Sequence, residues 1–214
     1  MLQAIQRHKI IAIIRGYGKE EVVKIANALY EGGIHFMEVT FDHKSGNYQK
    51  TTDAIAAISQ TMGDRIHVGA GTVLTPAQVE MAAAAGAKYI ISPNINPDVI
   101  RRTKELGLLS MPGAMTPTEI ELAYQCGADF VKVFPAGTLG VEYLKAVRAP
   151  LSHIPMLAVG GIDEGNVAQF LKAGACGAGI GGKLVRKDWI DSGNYEAITQ
   201  AAKDLVACIE GEKV

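Results

Sequence analysis

Short apolar runs alternate with helix-length amphipathic segments along the whole chain. Eight of these runs, each four to six residues long, are rich in Ile, Val, Ala and Met and predict β-strands. Continuous apolar runs of this kind are typical of parallel strands that are covered by helices. The predicted strands are Ile10–Ile14, His35–Thr40, Ile66–Ala70, Tyr89–Ser92, Leu108–Met111, Phe130–Val133, Met156–Val159 and Gly177–Ile180.

A helix is predicted in nearly every interval between two strands. The pairs Thr75-Pro76 and Thr116-Pro117 place an N-cap residue and a first-turn proline at two helix starts. Glycines such as Gly86 and Gly127 lie just before strands, where a left-handed residue ends a helix. The predicted helices are Met1–His8, Lys19–Tyr30, Thr51–Met62, Pro76–Ala85, Asp98–Leu106, Pro117–Gln125, Val141–Val147, Asn166–Ala173 and Tyr195–Ile209.

Strict alternation of strands and helices over 214 residues predicts a small (β/α)8 barrel, an α/β fold. We expect one compact domain over residues 1–214, with a short N-terminal helix. The competing fold is a doubly wound sheet, which usually carries GxGxxG after its first strand. Here that strand is followed by Arg15-Gly16-Tyr17-Gly18, which favours the barrel.

Composition narrows the class of partner. The net charge is −1 and charges of both signs are interleaved, so we expect neither nucleic-acid nor membrane binding. No apolar stretch reaches the roughly 18 residues of a membrane span. The three cysteines are odd in number and far apart, which favours free thiols in a reducing compartment. These features predict a cytoplasmic protein with a small-molecule partner.

Lys132 lies in the middle of the apolar run Phe130–Val133. Burial lowers the pKa of an amine, and a neutral lysine can attack carbonyl carbons, so Schiff-base chemistry is one hypothesis. The alternative is a strand lysine whose stem covers apolar surface while its charged end reaches solvent.

In a (β/α)8 barrel, catalytic groups gather where the strands end. Arg15 ends the first strand, Glu38 lies near the end of the second, and Thr72 and Pro93 follow the third and fourth. Lys132 lies on the sixth strand. Because side chains alternate along a strand, one register directs both Glu38 and Lys132 into the barrel. The alternative for these two residues is a purely structural ion pair.

Two glycine pairs follow the last two predicted strands, Gly160-Gly161 and Gly181-Gly182. Barrels commonly bind phosphate at this place, through glycine amides and a helix N-terminus. The alternative is that each pair only forms a tight turn.

Metal binding is not expected. His8, His35, His67 and His153 show no ligand spacing, and Asp42 with His43 is a weak metal candidate.

Taken together, these motifs resemble the 2-keto-3-deoxy-6-phosphogluconate (KDPG) aldolase and 4-hydroxy-2-oxoglutarate aldolase family. The resemblance runs in order from about Ile10 to Lys183. It implies a class I aldolase on a (β/α)8 barrel, usually a homotrimer, that uses no metal or other cofactor. Its substrate would be a keto acid sugar phosphate, cleaved to pyruvate and glyceraldehyde 3-phosphate. The motifs are Glu38-Val39-Thr40, Gly69–Leu74, Ile91-Ser92-Pro93, Pro112-Gly113, Val131–Ala136, Gly160-Gly161-Ile162 and Gly181-Gly182.

The resemblance also implies residue roles. Lys132 would form the Schiff base, Glu38 would be the general acid and base, and Thr72 would bind the pyruvate carboxylate. The further candidates for substrate binding are Arg15, Thr40, Pro93, Phe134, Gly160, Gly161, Gly181, Gly182 and Lys183.

The chain departs from the family pattern at two positions. Many members carry an arginine after the second strand that helps to hold the substrate carboxylate, and here Asp42 stands in its place. We therefore expect Arg15 to carry more of that contact. Lys183 stands where a serine is common and either adds a charge to the phosphate site or is solvated.

Two other functions stay open at this point. A phosphosugar isomerase or epimerase would use the glycine pairs and a carboxylate base without an imine, and a non-catalytic sensor would bind a sugar phosphate only. The sequence does not distinguish gluconate-derived from galactonate-derived substrates, which differ at C4, or test activity on 4-hydroxy-2-oxoglutarate.

Overall fold

A computed structural model describes residues 1–210, and the last four residues of the predicted domain lie outside the described residues. Within residues 1–210 there are nine strands: β1 (Ile10–Ile14), β2 (Phe36–Thr40), β3 (His67–Gly71), β4 (Tyr89–Ile91), β5 (Leu109–Met111), β6 (Gly113–Ala114), β7 (Val131–Val133), β8 (Met156–Val159) and β9 (Gly177–Ile180). All pairings between them are parallel, in the order β5-β4-β3-β2-β1-β9-β8-β7-β6.

Helices lie between nearly all of these strands. They are α1 (Leu2–His8), α2 (Lys19–Glu31), α3 (Tyr48–Met62), α4 (Pro76–Ala84), α5 (Pro97–Glu105), α6 (Pro117–Gln125), α7 (Ala136–Leu139), α8 (Val141–Arg148), α9 (Val167–Lys172), α10 (Lys187–Asp191) and α11 (Tyr195–Glu210), with a 3-10 turn at Gly63–Arg65. The short helices α7 and α10 were not predicted, because four or five residues are too few to display a helical period. Helix α3 begins three residues before the predicted start, where Asn47 accepts the N–H of Lys50 at 3.3 Å and caps it.

The structure confirms the barrel and corrects the strand count. The predicted fifth strand, Leu108–Met111, corresponds to β5, which pairs with β4, and after Pro112 the chain forms a further strand that was not predicted, β6, which pairs with β7. Proline has no N–H to donate, but the Pro112 carbonyl accepts the N–H of Lys132 at 2.9 Å. The two segments together therefore act as the one strand that nearly closes the barrel.

Side chains from alternate strand positions fill the barrel interior. Ile5 of α1 packs among them and is 1% exposed, so the N-terminal helix covers the end of the barrel where the strands begin. Val39, Val131 and Val133 instead pack outward against the helices, as the predicted register requires. The interior cluster comprises Ile5, Ile11, Phe36, Tyr89, Ile91, Met111, Phe130, Leu157 and Val159.

The interior of the barrel is therefore apolar at its N-terminal end, and its polar groups lie near the C-terminal strand ends. Among the described residues, none of the helices has the length and apolar content needed to cross a membrane.

Candidate active site

A cavity of about 590 Å³ lies at the C-terminal ends of the strands. It contains every residue that the sequence proposed for the site except Thr40. Its wall is formed by Ile13, Arg15, Tyr17, Glu38, Thr72, Pro93, Lys132, Phe134, Val159, Gly160, Gly161, Ile162, Asp163, Gly179, Gly181, Gly182, Lys183 and Val185.

Lys132 lies at the centre of β7, and its side chain is directed into the barrel. The residue is 7% exposed, so the alternative of an amine that reaches open solvent is not supported. Burial lowers the pKa of Lys132, the positive charge of Arg15 lowers it further, and the carboxylate of Glu38 opposes both effects. The Nζ atom lies 5.0 Å from the ring centroid of Phe134. This environment favours a neutral amine, which is the nucleophilic form.

Glu38 enters the same cavity from β2 and is 2% exposed. Burial raises the pKa of its carboxyl group, although the charges of Lys132 and Arg15 act in the opposite direction. Within residues 1–210, Glu38 Oε2 has no hydrogen-bond partner, and the two groups form no ion pair within 4.0 Å. The structural ion pair is therefore not observed. An acidic group and an amine face one cavity, and each is biased toward its uncharged form.

A glycine makes room for the Glu38 carboxylate. A Cβ atom added at Gly71, the last residue of β3, would lie 2.8 Å from Glu38 Cδ. Any larger residue at position 71 would displace the carboxylate, because real Cβ contacts are not this short.

Thr72 follows directly and has a φ of 57°, which lies in the left-handed region. A β-branched residue is uncommon there, and such strain costs on the order of 1–3 kcal/mol.

On the next strand, Pro93 lies against Gly113, where an added Cβ would be 2.5 Å from the Pro93 carbonyl. Arg15 follows β1 and is exposed, so its guanidinium is free to reach a ligand at the mouth of the cavity.

The two glycine pairs form the opposite wall. Gly160 and Gly161 have φ values of 90° and 75°, which favour glycine. Their carbonyls accept hydrogen bonds from Gly137 N–H at 2.7 Å and from Asn166 Nδ2 at 2.9 Å. Within the described chain, the N–H groups of Gly161, Gly182 and Lys183 have no protein partner. Backbone amides in this arrangement can bind an anion.

The expected helix N-terminus beside each glycine pair is not found. Helix α9 begins only at Val167 and α10 at Lys187, so each pair leads into a turn. The anion-binding capacity of this wall therefore comes from amides and from Lys183, with little help from a helix dipole.

Thr40 is the one predicted binding residue that does not line the cavity. It is 3% exposed, and its Oγ1 has no hydrogen-bond partner among residues 1–210.

The weak metal candidate, Asp42 with His43, also finds no support. Asp42 accepts hydrogen bonds from its own loop, and both ring nitrogens of His43 are engaged. In the described part of the chain, no three His, Cys, Asp or Glu side chains are placed to hold a metal ion.

Sequence reasoning missed several wall residues. Tyr17 lies in the loop after β1, where no strand period applies, and no signal in the sequence indicated it. Asp163 lies two positions after Gly161 and places a carboxylate near the glycine wall. Val159 and Gly179 lie within strands, where an apolar or small residue gives no signal of function.

The chain matches the family model "Aldolase: KDPG and KHG aldolase" over residues 1–201. The chain belongs to the KDPG and KHG aldolase family. It is therefore an aldolase, a carbon–carbon lyase.

Relatives of known function support this assignment. A 2-dehydro-3-deoxy-6-phosphogalactonate aldolase from Escherichia coli is 39% identical over 178 residues, 83% of this chain and 84% of the relative. A 2-dehydro-3-deoxy-phosphogluconate aldolase from Treponema pallidum is 34% identical and covers 98% of this chain and 97% of its own. The solved KDPG aldolase of Legionella pneumophila, with pyruvate captured as a covalent carbinolamine, superposes with a TM-score of 0.86 at 27% identity, covering 96% of this chain and 98% of its own.

The charges around Lys132 predict that two substitutions shift its pKa in opposite directions. Only the neutral amine is acetylated, so the acetylation rate of Lys132 rises with pH through its pKa. The wild-type midpoint should lie below the ordinary value of 10.5. Glu38→Gln removes a negative charge and should lower the midpoint, whereas Arg15→Gln removes a positive charge and should raise it.

Acetylation at Lys132 is followed by mass spectrometry, with the exposed Lys88 in the same sample as a control for the reagent. Midpoints that move in the same direction in both variants would contradict this account of the electrostatics.

Proposed function

We propose that this aldolase cleaves 2-keto-3-deoxy-6-phosphogluconate to pyruvate and glyceraldehyde 3-phosphate through a Schiff base on Lys132. The observation that carries the proposal is that a buried amine and a buried carboxyl group line one cavity. Within residues 1–210, Oε2 of that carboxyl group has no hydrogen-bond partner. The pKa of Lys132 is lowered and that of Glu38 is raised, mainly by burial, and both shifts favour the uncharged forms, a nucleophilic amine and a proton donor.

The reaction begins when the neutral amine of Lys132 attacks C2 of the keto acid. Glu38, neutral at this stage, gives its proton to the departing hydroxyl group, so that loss of water leaves a protonated imine on Lys132 and a carboxylate on Glu38. The imine accepts electrons when the C3–C4 bond breaks. Glu38 takes the proton of the C4 hydroxyl in this step, and the electron pair becomes an enamine. Protonation of C3 and hydrolysis of the imine then release pyruvate and restore the lysine. The carbinolamine of the Legionella pneumophila relative supports this route.

The two charged ends of the substrate fit opposite walls of the cavity. We assign the carboxylate to Thr72 and Arg15, since the loop between β2 and α3 contains no arginine. We assign the phosphate to the amides of the glycine wall and to Lys183. Lys183 supplies the positive charge there, while Asp163 opposes it. Pro93 and Phe134 form the apolar sides, and a role for Thr40 stays a prediction.

The C4 epimer is a second candidate substrate. The 39% identity to the Escherichia coli phosphogalactonate aldolase favours it, and the Treponema pallidum relative favours the gluconate series. The isomerase and sensor hypotheses are not favoured, because the family is one of aldolases and both hypotheses leave the buried Lys132 without a role.

Covalent trapping tests the Schiff base. Borohydride reduction with pyruvate should label the wild type irreversibly at one peptide, the one that contains Lys132. Lys132→Met should abolish both labelling and cleavage, while Lys88→Met, at an exposed lysine outside the cavity, should change neither. Glu38→Gln should slow cleavage about 10²- to 10⁴-fold. Absence of any adduct on folded wild-type protein would refute the proposal.

A substrate panel tests the phosphate wall. Turnover is measured on both 6-phosphorylated C4 epimers and on 4-hydroxy-2-oxoglutarate, which has no phosphate. Lys183→Ser should raise KM for the phosphorylated substrates several-fold, as expected for loss of a charge-assisted hydrogen bond, and leave KM for 4-hydroxy-2-oxoglutarate unchanged. An equal effect on both classes would place Lys183 outside the phosphate site.

We also propose that the enzyme is a homotrimer in the cytoplasm. Its three cysteines are free, which fits a reducing compartment. Three apolar side chains at or just before α6 are well exposed, and exposed apolar groups of this size favour association. They are Met115, Leu122 and Tyr124, at 45%, 43% and 40% exposed.

Light scattering should give three times the 22.7 kDa monomer mass, and Leu122→Asp should reduce the measured mass. A monomeric wild type would refute the trimer.

A further inference from the structure

The loop between β2 and α3 carries Asp42 at the position where many family members carry an arginine, and Asp42 forms a hydrogen-bonded turn with the residues that follow it. Asp42 Oδ1 accepts the N–H groups of Lys44 at 2.9 Å and of Ser45 at 3.3 Å. Hydrogen bonds from Ser45 and Lys44 lower the pKa of Asp42, so its charged form stabilises the turn. The carboxylate is therefore committed to the loop, and Asp42 does not line the cavity.

The turn places His43 against the backbone of Thr72, which lies 29 residues later in the sequence. His43 Nε2 is 2.8 Å from the Thr72 carbonyl oxygen, and His43 Nδ1 is 3.1 Å from the hydroxyl of Tyr48. A carbonyl can only accept, so Nε2 carries the proton and Nδ1 accepts the Tyr48 O–H. Tyr48 in turn packs edge-on against Phe41, with centroids 5.5 Å apart.

Thr72 is a residue whose conformation needs support. Besides Lys9, it is the only non-glycine residue with positive φ in the described part of the chain. Within residues 1–210, neither its N–H nor its hydroxyl has a protein hydrogen-bond partner, and the residue lines the cavity. A rotation of this backbone would turn both donors away from a ligand. The contact with His43 fixes the carbonyl and thereby the direction of the donors.

We propose that His43 is a positioning residue: it holds Thr72 in the left-handed conformation in which its hydroxyl and N–H bind the carboxylate of the keto acid. Asp42 and Tyr48 set His43 in place, so the loop serves the substrate carboxylate indirectly, without an arginine. This inference rests on the proposed function, in which Thr72 binds that carboxylate.

The test measures the pyruvate concentration that gives half-maximal borohydride trapping at Lys132, together with the rate at saturation. His43→Ala should raise that concentration about 3- to 10-fold, the effect of one neutral hydrogen bond, and should leave the saturated rate nearly unchanged. His43→Gln retains an N–H donor at the same distance along the side chain and should restore most of the affinity. Tyr48→Phe should produce a smaller loss in the same direction.

Two controls separate positioning from a general loss of structure. Gln49→Ala removes an exposed, uncharged side chain next to Tyr48 and outside the cavity and should behave as wild type, and thermal unfolding is followed for every variant. In a Thr72→Ala background, His43→Ala should have a smaller effect than in the wild type, because only the backbone N–H of residue 72 is left for His43 to position.

The outcomes are distinct. Failure of the wild type to form any adduct would refute the proposed function itself. If the wild type is trapped, an unchanged affinity in His43→Ala, an equal loss in His43→Ala and His43→Gln, or fully additive effects with Thr72→Ala would each overturn the role of His43.

Discussion

The desolvation of two ionisable groups inside the barrel is the constraint on which the rest of the site depends. Lys132 and Glu38 are both buried, yet no direct ion pair between them offsets the cost of burial. Desolvation is the largest influence on both pKa values and favours the neutral amine and the neutral acid. A tight ion pair would have held both groups charged and made the amine a poor nucleophile. Burial without an ion pair thus costs stability and favours the uncharged forms that the proposed chemistry requires.

Small residues in the strands make this arrangement possible. A Cβ at Gly69 would lie 2.2 Å from the ring of Tyr89, so that glycine lets the tyrosine fill the barrel below the site. The Tyr89 hydroxyl donates to the Met37 carbonyl at 2.7 Å, which satisfies its polar atom within an apolar interior. Above it, Gly71 leaves space for the Glu38 carboxylate. Large and small residues on adjacent strands therefore separate the apolar interior of the barrel from the cavity that holds Lys132 and Glu38.

The two walls of the cavity differ in backbone strain. Thr72 adopts a conformation that is costly for threonine, whereas Gly160 and Gly161 adopt theirs without steric cost. A strained anchor requires support from elsewhere in the fold, and the His43 contact to its carbonyl is such support. Gly160 and Gly161 need no comparable support, because their carbonyls already accept hydrogen bonds from Gly137 and Asn166.

The sequence alone determined the alternation of strands and helices, because apolar periodicity and left-handed glycines act over a few residues. It also indicated Lys132 and Glu38, since a charged residue inside an apolar strand is a local anomaly that a period of two assigns to one face. Only the tertiary structure decided that the two groups remain unpaired, that Thr40 lies outside the cavity wall, and that a further strand, β6, follows Pro112. It likewise decided that His43 reaches Thr72. These outcomes depend on distances across the barrel between residues far apart in the chain, and such distances are set by how the sheet closes rather than by any local pattern.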